Sequence, residues 1–422
     1  MLITRKKLLG HRAGIITATA LGITLALTAC ASSSTPSSSA ASNDKSPIKI
    51  GVDLSLTGPI AFAGVQEYAG MKLAAAAINA SKAKVLGRKI QLVTTDDTST
   101  PDQSVLNIRK LVQQDHVVAI AGPGSSNSTV VGAQTASTLQ VPLVALPSTT
   151  GDIWEGSKVA KWGFGIAGNG SALGNGCISS TAAAEKKDGT EIKTIAIGEE
   201  TNPGPQSYVA GVKQWAADNN VKVLTTLDWD GTSTSLTTQM SQLLALHPDA
   251  ISISALQATD TLAVKALDQL GALGKTPVAN CSAITLSTFY QALGATAQKP
   301  HFYTQILLAD AYPAIKTGSA NDAERQKVVD AFKKYPSVAG VPNLSNFAHA
   351  GWDTIQVITR AITKAGSTDG NKVRLALEKT DYIGAQNTMV FGPTQHRATY
   401  ADYAKIARVV LFGPSGSLSI PK

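Results

Sequence analysis

The chain has 422 residues, with 37 lysines and arginines against 29 aspartates and glutamates, a formal charge of +8. Four of those bases, Arg5, Lys6, Lys7 and Arg12, crowd the N-terminus; without them the balance is 33 against 29, or +4, and no basic stripe interleaved with aromatics follows, which excludes a nucleic-acid partner. Aromatics make up 5% while Ala, Ser, Thr and Gly abound, a small-residue α/β composition long enough for two domains.

The leading charges precede an apolar run from Ile15 to Leu27 that ends in Leu27-Thr28-Ala29-Cys30. A charged n-region, a short h-region and a small-residue cleavage site read as a signal peptide over residues 1–29. The run is too short for a spanning helix, and no later segment holds about eighteen consecutive apolar residues. The four residues also resemble the lipobox of bacterial lipoproteins, which implies that Cys30 is lipidated on sulfur and becomes the new N-terminus. Several acyl chains, at about 0.8 kcal/mol per buried CH₂, give stable anchoring. Residues 30–47 form a Ser-rich tether with little to bury, a spacer between the bilayer and a folded body. The mature protein is therefore expected outside the cytoplasm, attached to the membrane through Cys30.

From Ile48 short β-branched runs alternate with helical stretches. Ile48–Asp53 reads as a strand, and the helix after it carries Val65, Ala69, Leu73 and Ala77 on one face. Lys89–Thr95 is a second strand, and Thr100-Pro101-Asp102-Gln103 has the form of a capping box with Pro at the first helical position. Val117–Ala121 and Pro142–Leu146 are further strands, separated by a Gly/Ser turn and a helix through Thr138. The rhythm restarts with strands at 193–197, 221–227, 250–254 and 277–280, with helices near 206–219, 235–246 and 259–270 between them. A strand at 302–308, helices at 320–335 and 346–364 and a last strand near 403–411 complete the chain. Two series of this kind predict two doubly wound parallel sheets built from right-handed βαβ units.

Ligands of open parallel sheets bind beyond the carboxyl ends of the strands. Those turns here are Leu54–Phe62, Gly122–Ser128 and Pro147–Thr150; the second opens a helix, whose free N–H groups and positive dipole end favour a carboxylate or other anion. Ser125 and Ser126 could equally cap that helix. Cys177 and Cys281 remain after Cys30; in an exported chain a disulfide between them is open, and neither has the CxxC or HxxxH company of a metal site.

The residues Ile48–Val52 with Leu56-Thr57-Gly58-Pro59, Gly64, Glu67, Gly87–Ile90 and Asp96-Asp97 resemble solute-binding proteins of the branched-chain amino-acid type, the extracytoplasmic receptors of ABC importers. The resemblance spans 48 to 412 and implies the type I periplasmic-binding fold: two lobes, 48–167 with 308–386 and 168–307 with 387–422, joined by three crossovers near 166–171, 304–310 and 385–393. By position it implies that Ser126 and Asn127 hold a carboxylate with Ser148 and Thr150, and that Phe62 and Phe347 supply apolar wall; Thr149, and Asn202, Gln257 and Ser282 from lobe-two turns that lack the family's usual aromatic, its acid and its tyrosine unless Tyr208 takes that place, are further candidates to meet the ligand. Ser282 stands where amino-acid-binding members place the acid that balances the ligand ammonium, so amino acid, amide and carboxylate all remain open as ligands. The implied partner is an ABC permease; a sensor of the same fold, signalling without transport, is the alternative.

Enzyme signals are weak. No GxSxG occurs, and the six histidines lie in no recognisable arrangement. Gly163–Gly168 spells GxGxxG but continues into Asn169-Gly170-Ser171, which fits a hinge better than a dinucleotide turn. The SxxK spellings at Ser42 and Ser81 fall in the tether and just past a helix, and Gly274-Lys275-Thr276 lacks the earlier glycine of a P-loop. No enzyme activity, cofactor or metal is expected.

Overall fold

The computed structural model describes residues 44–149, 154, 161–282, 284–399 and 403–421. The expected signal peptide, Cys30, most of the tether and Thr150 lie outside these residues. The folded body begins at Lys45.

The first sheet is built from β1 (Ile48–Leu54), β2 (Ile90–Asp96), β3 (Ala119–Ala121), β4 (Leu143–Ala145) and β5 (Gly163–Gly165). They run parallel in the order β2-β1-β3-β4-β5. Between them lie α1 (Ala61–Ala80), α2 (Pro101–Gln113) and α3 (Ser126–Leu139). A parallel sheet needs helices on both faces, and its central strands therefore carry near-continuous apolar runs. Ile48, Ile50, Val52 and Leu54 are fully buried. Alternate residues of β3 and β4 divide between two cores: Ala119, Ala121 and Val144 pack with α1, whereas Ile120, Leu143 and Ala145 pack with α2 and α3.

The second sheet follows α4 (Gly170–Lys187). It contains β6 (Thr194–Glu200), β7 (Lys222–Trp229), β8 (Ala250–Ser254), β9 (Val278–Asn280) and β10 (Phe302–Leu307), connected through α5 (Pro203–Asp218), α6 (Thr237–Leu244), α7 (Gln257–Gln269) and α8 (Leu286–Leu293). These five strands are parallel. After β10 the chain returns to the first layer as α9 (Leu308–Ala311), α10 (Ala320–Lys334), α11 (Pro336–Ala339), α12 (Asn346–Ala365) and α13 (Gly370–Leu377), followed by the hairpin β11 (Asp381–Ile383) and β12 (Thr388–Val390). It ends in the second layer with α14 (Tyr403–Ile406), β13 (Ala407–Phe412) and β14 (Leu418–Ser419), where β13 runs antiparallel to β10. The doubly wound α/β class expected from the alternating pattern is the observed one.

Four local expectations are corrected. Residues 387–399 do not join the second layer: Met389, Phe391 and Ala398 belong to the core of the first, and Gly165 N–H donates to His396 O at 2.8 Å. His396 also stacks on Phe164 at 4.2 Å, so the chain leaves the first layer only after Thr399. Val65 is 42% exposed rather than core-facing; α1 is so rich in alanine that its sequence carries little phase, and Gly64, Glu67, Met71 and Ala74 face inward instead. Thr100 makes no side-chain cap to α2, and its hydroxyl donates to Asp97 O at 3.1 Å while Gln103 turns to Asn107. The last strand starts at Ala407, after a single helical turn.

Cys177 of α4 and Cys281, one residue past β9, form a disulfide with Cα atoms 5.8 Å apart, pinning the helix to its sheet. On the first layer α1 and α12 cross at backbone distance. A Cβ on Gly70 would land on Ala348 O, and one on Gly351 would land on Glu67 O. Neither obstacle is a flexible side chain, so the helices would have to separate. Gly351→Ala is expected to cost at least about 1–3 kcal/mol of folding stability, read as a lower urea midpoint. An unchanged midpoint would mean that the crossing yields freely.

Candidate functional site

The turns after β1, β3 and β4 converge at one edge of the first sheet. Gly122-Pro123-Gly124 carries β3 toward α3, and Ser125 caps the helix by accepting from Ser128 N at 3.2 Å. The capping alternative therefore applies to Ser125, while the next hydroxyl is left for other contacts. Ser148 Oγ donates to Ser126 Oγ at 3.4 Å, joining the turns after adjacent strands.

Thr149 reaches the opposite layer. Its hydroxyl accepts from Ser207 Oγ at 3.1 Å and donates to Gly204 O at 3.5 Å, both in the first turns of α5. Pro203 occupies the start of that helix, and Asn202 Oδ1 caps it by accepting from Gly204 N at 3.0 Å.

Two cavities flank this bridge and share Pro147, Thr149, Tyr208 and Phe347 as walls. One, of about 460 Å³ including space open to solvent, is bounded by Phe62, Ser125, Ser126, Asn202, Pro205 and Leu256. The other, of about 450 Å³ including space open to solvent, is bounded by Ser282, Ile284, Gln305, Leu307 and Asn346. Phe62 and Phe347 meet edge to face at 5.7 Å, so the apolar wall of the first layer is a packed pair. Among the described residues neither cavity is lined by an acidic or basic side chain.

Of the residues singled out from sequence, Phe62, Ser126, Thr149, Asn202, Ser282 and Phe347 line the cavities. Ser148 lies behind them in contact with Ser126. Asn127 is exposed and lines neither cavity, because it follows Ser126 on the helix and turns to solvent. Gln257 is also removed from the set. Its carboxamide is committed to Thr285 N at 2.8 Å and Thr288 Oγ1 at 2.8 Å, bracing α7 against the start of α8. Tyr208 lines both cavities, and Gln305, Asn346 and Leu256 line one each without having been chosen; no local motif marks these three, and only the fold brings them to the gap.

Two acids of the second layer, Asp260 and Glu200, are turned inward. Ser282 Oγ donates to Asp260 Oδ1 at 3.0 Å and accepts from Ala255 N at 3.1 Å. Asp260 thus supplies a carboxylate behind Ser282, but from α7 rather than from the turn that carries the serine. Burial pushes its carboxyl up to about 7, against the hydrogen bonds from Asn280 and Ser282. Glu200 Oε2 accepts from Thr259 Oγ1 at 2.6 Å and Leu256 N at 3.1 Å, so it serves the N-terminus of α7.

Beneath the turn before α3 lies Glu67, fully buried, with neither carboxylate oxygen in a hydrogen bond. A Cβ on Gly124 would strike Glu67 Oε2, so the turn's backbone rests directly on this group. Burial, reinforced by the negative charge of Asp97, pushes its carboxyl up to about 8. Asp53 is likewise raised to about 7 by burial, opposed by bonds from Ser104 and Asn107.

Two α/β layers, bridged by a hydroxyl contact and enclosing neutral, partly apolar cavities between their strand ends, define a two-layered receptor for a small ligand. The chain belongs to the periplasmic binding protein family, whose model matches residues 47–410. Periplasmic binding proteins work outside the cytoplasmic membrane. An amino acid binding protein of Pseudomonas aeruginosa is 40% identical over 83 residues, 20% of this chain and 22% of that protein. The Leu/Ile/Val-binding protein of Escherichia coli K12 is 39% identical over 82 residues, 19% and 22% of the two chains. The matches thus span about a fifth of either relative. Among solved structures, an extracellular ligand-binding receptor of Rhodopseudomonas palustris HaA2 superposes with a TM-score of 0.73 at 20% identity, covering 89% of this chain and 100% of that one. A periplasmic binding protein type 1 of Bordetella pertussis gives 0.70 at 20% identity, over 89% and 99%. A branched-chain amino acid transporter substrate-binding protein of Streptococcus pneumoniae, solved with isoleucine, gives 0.69 at 22% identity, over 88% and 98%. These likenesses are likenesses of fold.

The buried Glu67 generates a pH dependence. Its carboxyl rises from an ordinary 4.5 to about 8 on folding. Between those values the folded chain holds the proton more tightly than the unfolded one, so this group's contribution to stability falls as pH rises from about 4.5 to about 8. Glu67→Gln should therefore gain stability over the wild type as pH increases through that window, measured by urea unfolding at successive pH values. Parallel curves for the two proteins would show that Glu67 does not titrate there.

Proposed function

We propose that this protein is an extracytoplasmic solute-binding lipoprotein, anchored through Cys30, that captures a small polar ligand between two lobes and delivers it to an ABC importer. The observation that carries the reading is the Thr149 bridge to Ser207 and Gly204, set between cavities whose walls come from both layers. A ligand seated there touches both sheets at once and so stabilises their closed approach, which is how a hinged receptor shifts its population on binding. Ser126, at the start of α3, supplies a hydroxyl donor to a carboxylate or amide, Thr149 supplies a second by exchanging Gly204 O for the ligand, and Phe62, Phe347 and Tyr208 exclude water from its apolar part. A micromolar dissociation constant corresponds to about −8 kcal/mol, enough to bias a hinge equilibrium of a few kcal/mol.

A thermal-shift screen over amino acids, short amides, carboxylates and polyols tests the reading, since a ligand at a hundredfold its dissociation constant adds about 2.7 kcal/mol of stability. For a compound that passes, Ser126→Ala and Thr149→Ala should each weaken calorimetric affinity by roughly 1–3 kcal/mol, through loss of a donor to a buried ligand group. Unaltered affinity in both would remove these turns from the site. Cys30→Ser should release the protein from the membrane fraction into the medium or periplasm; retention would reject lipid anchoring.

A further inference from the structure

The amino edge of the first sheet, at the opposite end of the strands from the cleft, is strongly basic. Its described segments, taken from the last turn of any preceding helix to the second residue of the next element, are 44–49, 77–91, 110–120, 136–144, 161–164 and 362–371. They contain nine lysines and arginines against Asp44, Asp115 and Asp369. The chain beyond Arg12 holds 33 bases and 29 acids, so 24 bases and 26 acids lie outside this edge. The matching segments of the second layer, 184–195, 215–223, 241–251, 266–279 and 290–303, hold six of each sign. Residues 150–160 include Asp152, Glu155 and Lys158, which alter the first balance by two charges at most.

The basic segments share one rim. Arg88 Nε donates to Ser46 O at 2.6 Å, Lys49 Nζ to Asp115 O at 3.1 Å and Asn79 Nδ2 to Ile90 O at 2.8 Å, while a Cβ on Gly370 would lie 3.1 Å from Gln140 O. Helices α1, α2, α3 and α12 end here, and their negative dipole ends favour bases. Only Lys110 and Lys364 occupy a last turn, so the dipoles account for two of the nine. Leu86, 38% exposed, stands at the tip of the turn in which Arg88 N donates to Val85 O, with Lys84 before it and Lys89 after it. An apolar tip among exposed bases suits the boundary of a charged bilayer, where apolar burial and attraction to anionic headgroups add. The folded body also begins at this rim, at Lys45, fifteen residues from Cys30, and an extended chain of that length reaches at most about 50 Å.

We propose that the amino edge of the first sheet is a membrane-contact surface for anionic phospholipid headgroups, which holds the first layer against the bilayer and leaves the cleft uncovered. This goes beyond the proposed function; only the argument from Cys30 rests on it. The test is co-sedimentation of purified Cys30→Ser protein with vesicles of phosphatidylcholine, alone or mixed equally with phosphatidylglycerol. Binding should require phosphatidylglycerol at about 50 mM salt and disappear at about 0.5 M, where exposed charges are screened. Lys82→Gln, Lys84→Gln and Lys89→Gln together should lower the partition coefficient about a hundredfold, at about fivefold for each base. The control triple Lys213→Gln, Lys265→Gln and Lys275→Gln removes as much charge from exposed sites of the second layer and should lower it less than about fivefold. Equal losses in the two triples, equal binding to both vesicles, or no binding at low salt overturns the proposal, and none of these bears on the cleft or on the lipid. Cys30→Ser protein that stays on cell membranes through a wash at about 0.5 M salt would instead reject the lipid anchor, because headgroup contact does not survive that wash.

Discussion

A parallel sheet covered by helices on both faces can place polar chemistry only at the carboxyl edge of its strands. In this protein that constraint acts twice. β8 is wholly buried and β1 is buried except at Lys49, and most of the polar groups that reach the gap come after the strands end. Ser125, Ser126, Ser148 and Thr149 follow strands of the first sheet, and Asn202 and Ser282 follow strands of the second. Each group stands where a backbone leaving the sheet has N–H and C=O groups to satisfy. Some hydroxyls are used locally for that purpose, as with Ser125; others are left facing across the gap.

The same edge explains the distribution of charge. Two carboxylates near the strand ends are drawn beneath the surface and given neutral donors: Asp53 takes Ser104 and Asn107, and Asp260 takes Asn280 and Ser282. Glu67 is buried without hydrogen bonds under the turn that opens α3. Raised proton affinity follows from desolvation in each case, and among the described residues no acidic or basic side chain lines either cavity. The cavity walls are consequently hydroxyl, carboxamide and aromatic in character.

Close backbone packing supports this arrangement. Gly70 and Gly351 let α1 and α12 approach until backbone meets backbone, and this pair carries Glu67 and Phe347, one beneath the first-layer turn and one lining both cavities. The disulfide between α4 and the residue after β9 does comparable work in the second layer, one residue before Ser282. Positions that look purely structural are therefore adjacent to those that would touch a ligand.

Alternation of β-branched runs with amphipathic stretches, and the turns that follow the strands, were written in residues 48–150 plainly enough to determine the fold class. Those features are local: a strand buried on both faces and the polar turn ending it are adjacent in sequence. What only the tertiary structure decided involves distance along the chain. Tyr208, Gln305 and Asn346 come from three separate segments and meet because two sheets and a returning helix bring them together. Gln257 could be recognised as a brace, and Asp260 as the carboxylate behind Ser282, only once α7 was placed. Residues 387–399 have the composition of a connection, and their allegiance was settled by packing, with Phe391 and His396 against Phe164. A sequence records which groups are polar; which of them remain unpaired depends on partners it holds far apart.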